Sequence, residues 1–128
     1  MVSMIFGDCM QFLVERGFGV NHSGTAAFAH CMEYALRHPE LPVTYKCVVQ
    51  PAGVLHHRSS RHGFERVMRY ALLSQIAILD PAEIERLYGL RVVRTGRISI
   101  TVALQRLLLA YTTEGLATTT GDDLGDWE

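Results

Sequence analysis

Lysine is nearly absent from this chain: Lys46 stands alone against eleven arginines. Positive charge is therefore carried by guanidinium groups, which favour planar, two-pronged contact with phosphate or carboxylate. GC-rich coding enriches arginine as well, with no functional cause. Cysteine is scarce and odd in number. Cys9, Cys31 and Cys47 lie in apolar surroundings without CxxC spacing, which argues against a disulfide framework and for reduced thiols in a cytoplasmic protein. Long apolar runs are missing too, since Asp8, Glu15 and Arg16 interrupt the N-terminal one, and no membrane span is expected. The same stretch lacks a basic leader and a small-residue cleavage site, so no signal peptide is expected.

The usual marks of an enzyme are also lacking. Gly17-Phe18-Gly19 is too short for a phosphate loop and follows no strand. Ser23 and Ser74 have no glycine-framed elbow. Cys31 follows His30 directly, but adjacent helix positions do not face each other. Paired carboxylates occur only as Glu83/Glu85 and Asp122/Asp123, neither in an apolar setting suited to acid–base work. No cofactor is implied, and the chain reads as non-enzymatic.

What is present is the composition of an ordinary globular domain: 128 residues, 48% hydrophobic and 20% charged, enough to bury one core. Charge is split along the chain. From Glu114 to Glu128 there are five acids and no cation, whereas residues 1–113 hold 12 cations and 8 acids, so −5 faces +4. Residues 1–116 are expected to form a single compact domain, and 117–128 an acidic tail of a composition that ordinarily means disorder.

Hydrophobic spacing predicts helices over residues 2–16, 24–38 and 61–78. Gly17 is a natural left-handed cap for the first, and Asn21 or Ser23 an N-cap for the second. The third carries Phe64, Val67, Met68, Ala71 and Leu72 on one stripe, with Ser59 or Ser60 as cap and residues 54–60 as the loop before it. Asp80-Pro81-Ala82-Glu83 has the form of a capping box with proline at the first helical position, and it predicts a short helix over 81–88 ended by Gly89.

Two stretches read as strand. Val43, Tyr45, Cys47 and Val49 alternate with more polar neighbours over 43–50, and Ile98, Ile100, Val102 and Leu104 alternate within a hairpin over 90–103 that turns at Thr95-Gly96. The expected fold class is thus α+β, about five helices with a small antiparallel sheet. An all-α fold is the alternative, because Leu104, Leu107, Leu108 and Tyr111 keep helical spacing and residues 98–114 could form one helix.

The strongest chemical feature is the arginine set. Arg58, Arg61, Arg66 and Arg69 stay off the apolar stripe of the third helix, and Arg91, Arg94 and Arg97 belong to the expected hairpin. Together they would attract nucleic-acid phosphates or an acidic protein surface, the work of a binding module such as a small phage or mobile-element protein. Arg61–Glu65 and Glu65–Arg69 are also i, i+4 pairs, which would make the same face merely solvated. A second reading is a self-assembling structural protein, a homo-oligomer whose acidic tail docks on a neighbour through Leu124 and Trp127. A third is a small metal-dependent enzyme using His56, His57 and His62, with His22, His30 or Cys31 completing the site, although no metal-ligand spacing announces one.

Deleting residues 117–128 separates two roles for the tail. Loss of oligomers in light scattering is expected if it docks on a neighbour; unchanged mass with tighter nucleic-acid binding is expected if it screens the arginines.

Overall fold

A computed structural model of the chain describes the backbone of residues 4–56 and 61–127, with side chains described for 4–56 and 63–114. It is all-helical, and no strand occurs among the described residues. The elements are α1 (Met4–Glu15), α2 (Ser23–Arg37), a π turn (Tyr45–Val49), α3 (Gln50–His56), α4 (Arg61–Ile78), α5 (Pro81–Tyr88), α6 (Leu90–Thr95) and α7 (Ile100–Trp127). The α7 backbone is helical from the body of the protein through the acidic segment. The serines expected to cap α4, Ser59 and Ser60, lie outside the described residues.

Both expected strands are overturned, for different reasons. Over 43–50 the adjacent pair Val48 and Val49 is buried, where a strand would bury alternate residues. Thr44 starts a helical turn there by accepting the Cys47 N–H at 3.1 Å, and Gln50 N–H reaches back to the Tyr45 carbonyl, one residue further than in an α-helix. This wider turn leads directly into Pro51, which has no N–H to give to a regular ladder. The chain then stays helical to His56, shortening the loop expected over 54–60.

In the expected hairpin, residues 90–95 form α6, which ends at Gly96 with φ +67°. Ser99 Oγ accepts the Val102 N–H at 3.1 Å and caps α7. Buried Ile100, Ala103, Leu104, Leu107 and Leu108 then follow the i, i+3, i+4, i+7, i+8 spacing of a helix. The period-two alternation over 98–104 was real but shorter than this stripe, and the longer pattern decided the structure.

Other local signals hold. Asp80 Oδ1 accepts the Glu83 N–H at 2.8 Å while the Glu83 carboxylate accepts the Asp80 N–H at 3.2 Å, completing the capping box. Gly17 has φ +100° and lets Phe18 N–H bond back to the Leu13 carbonyl. One cap differs: α2 is opened by His22, whose Nδ1 accepts the Gly24 N–H at 3.0 Å, and not by Asn21 or Ser23.

Helix α2 occupies the centre, packed by α1, α3, α4, α7 and the π turn. Its buried Phe28 and Met32 meet a core that includes Leu13, Met68, Leu72, Leu104 and Leu107, each worth about 1.5–3 kcal/mol when fully buried. Helix α2 approaches α4 closely at Gly24. A Cβ there would lie 1.8 Å from the Val67 carbonyl oxygen and 2.6 Å from Ala71 Cβ. Gln75 is the large polar side chain within this core, fully buried on α4. Its amide donates to the Arg16 carbonyl at 3.0 Å and its carbonyl accepts the Tyr88 hydroxyl at 2.5 Å.

Replacing Gly24 with alanine is expected to lower stability in urea denaturation by about 1–3 kcal/mol through overpacking. That outweighs the gain in helix propensity of up to about 1 kcal/mol. A neutral or stabilising outcome would contradict the close approach of α2 and α4.

Candidate functional site

The buried stripe of α4, made by Phe64, Met68, Ala71, Leu72 and Gln75, fixes what its other side presents. Arg66 and Arg69 are exposed there, with Tyr70 55% and Leu73 51% exposed beside them. Glu65, Arg66, Arg69 and Tyr70 line an open surface hollow of about 370 Å³. Neither guanidinium has an ion-pair partner within 4.0 Å among the described residues. The expected Glu65–Arg69 pair does not close, and Arg61–Glu65 falls outside the described side chains.

Other arginines are neutralised. Arg37 bonds the Glu33 carboxylate at 3.1 Å, and Arg16 pairs with Glu114 while stacking on the Phe12 ring at 3.7 Å. Arg16 and Arg86 share a second hollow with Glu15, Glu83 and Glu114. Three carboxylates against two guanidiniums make that hollow unattractive to anions.

The seven arginines of the sequence reading therefore separate. Arg66 and Arg69 share the α4 hollow. Arg91 and Arg94 lie exposed on α6, with Arg97 in the loop after it, and none of the three lines that hollow. They are carried by a helix turn, not a basic hairpin, and α6 packs on α5. Arg58 and the Arg61 side chain lie outside the described residues, as do the side chains of Leu124 and Trp127.

A second group of polar side chains gathers where α3 returns beside α2. The His30 ring lies between Phe6, at 4.4 Å, and His56, at 3.8 Å with the two imidazoles within 7° of parallel. Glu33 sits one turn beyond His30, and one potential ligand atom from each of His30, Glu33 and His56 lies within 4.8 Å of the others. Burial pushes His30 down to about 4; His56 adds to this and Glu33 opposes it. Its Nδ1 is buried and has no hydrogen-bond partner among the described residues.

This group overlaps the histidine set read from the sequence only in part. His56 belongs to it, whereas His57 and the His62 side chain lie outside the described residues. Of the three residues considered to complete a site, His30 is present, His22 is used as a helix cap, and buried Cys31 donates to the Met68 sulfur at 3.9 Å. Glu33 was missed, although His-x-x-Glu places both residues on one helix face.

No protein-family model matches the chain, and no curated protein or solved structure resembles it significantly. No helix among the described residues is long and apolar enough to cross a membrane.

The cysteines behave as core residues. Burial pushes the Cys9 thiol up to about 12, with Glu33 and Asp8 adding to the shift, and burial likewise raises Cys31. A raised value keeps the thiol protonated and unreactive, since the thiolate is the nucleophile. At about pH 8, iodoacetamide is expected to modify partly buried Cys47 first in the folded protein, with Cys9 and Cys31 following only on unfolding. Equal labelling rates for all three, followed by mass spectrometry, would contradict the packing.

Proposed function

We propose that this protein is a non-enzymatic nucleic-acid-binding module that holds a single-stranded segment on the exposed face of α4. The observation that carries this reading is the hollow that Arg66 and Arg69, both without an ion-pair partner among the described residues, line together with Glu65 and the exposed Tyr70 ring. Guanidinium forks suit phosphate oxygens in two-pronged contacts. An exposed aromatic ring beside them supplies a stacking platform for a base, the combination that single-strand binders use. An acidic protein surface would use the same arginines but would gain nothing from base stacking, so Tyr70 discriminates between the two.

Fluorescence anisotropy with labelled oligothymidine and oligouridine tests the proposal. Binding is expected to weaken linearly on a log–log plot against salt, and each of Arg66→Ala and Arg69→Ala is expected to reduce that slope by roughly 0.7. Tyr70→Ala is expected to cost about 1 kcal/mol or more while leaving the slope unchanged. Binding that ignores both arginine substitutions would refute the assignment. Binding of polyglutamate with no binding of oligonucleotide would move the partner to the acidic-protein class.

A further inference from the structure

We propose that His30, Glu33 and His56 form a site for a divalent transition-metal ion of the zinc type, independent of the arginine face. Two imidazoles and one carboxylate are a donor set that suits zinc and its neighbours, whereas calcium and magnesium take oxygen ligands. The fold brings these donors together from separate elements. His30 and Glu33 stand one turn apart on α2, and the π turn and α3 carry His56 back beside them. Three protein ligands leave a fourth position for water or another ligand, as in open zinc sites.

The surroundings also point to a ligand. A buried imidazole nitrogen without a partner is destabilising unless something bonds to it, and His30 Nδ1 is such an atom among the described residues. The Glu33 Oε2 atom accepts from Arg37, so the guanidinium orients the carboxylate; metal-bound carboxylates commonly have such outer partners.

Binding requires one local change. A metal lies in the plane of each imidazole that ligates it, so two rings stacked 3.8 Å apart and nearly parallel cannot both bind one ion until one of them tilts. Bond lengths of about 2.0–2.1 Å also imply ligand atoms about 3.4 Å apart around a tetrahedral ion, so donors that now lie within 4.8 Å of one another would have to draw in. His56 is the residue placed to supply both adjustments, being exposed and at the last position of the seven-residue α3.

The test is calorimetric titration of zinc chloride into tag-free, chelator-stripped full-length protein, repeated with cobalt(II) to read its visible absorption. One equivalent is expected to bind at micromolar concentration or tighter, with the strong visible band of four-coordinate cobalt. His56→Ala, at an exposed position, and the isosteric Glu33→Gln, at a mostly buried one, both checked for folding by circular dichroism, are each expected to weaken binding at least about tenfold. His57→Ala is expected to leave it unchanged. Absence of saturable binding at one equivalent would overturn the proposal. So would binding lost in His57→Ala but retained in His56→Ala and Glu33→Gln, which would place the ion elsewhere.

Discussion

The close approach of α2 to α4 at Gly24 is the constraint on which the rest of the fold depends. A side chain at that position would occupy the space of the Val67 carbonyl, so the two helices meet through backbone on one side. Because α2 is also the helix that α1, α3, α7 and the π turn pack upon, its depth against α4 sets the depth of those elements too. The exposed face of α4 is what remains once that burial is satisfied. Arg66 and Arg69 are therefore positioned by the core behind them.

Gln75 extends the same logic to the ends of the chain segments. A buried amide costs free energy unless both its donor and its acceptor are satisfied. Here the partners come from separate elements, the carbonyl just after α1 and the hydroxyl at the end of α5. The network thus fastens the turn after α1 and the last residue of α5 to one point on α4. Burial raises Tyr88 well above the ordinary range for a phenol, so its hydroxyl remains a donor to Gln75 throughout the physiological range.

Much of this was legible in the sequence where a signal was both local and long enough. The Asp80–Glu83 box, the glycine after α1 and the stripes of α1, α2 and α4 each follow from a few residues whose preferences agree. The two strands failed because alternation over seven or eight residues does not say whether a partner strand exists. Thr44 and Ser99 act as helix caps, and either reading was open to them. Nor could His22 be recognised as a cap, since histidine fills that role only when its ring is turned toward the backbone. For the sites, Arg66 and Arg69 could be read from the pattern of α4, but their separation from Arg91, Arg94 and Arg97 depends on α6 being a helix. The approach of His56 to His30 was illegible because it rests on the π turn.

That turn has a consequence for how the sequence can change over generations. One residue advances a helix by about 100°, so closing the π turn to the ordinary register by deleting a residue would rotate all of α3 by that amount. Gly53 would leave the face of Phe64, against which it is packed too tightly for a Cβ to fit without movement, and His56 would leave His30 in the same step. Substitution at exposed Lys46 touches neither. The spacing between Thr44 and His56 is accordingly less free to drift in length than in composition, and an insertion or deletion there would be felt in the core and at the surface together.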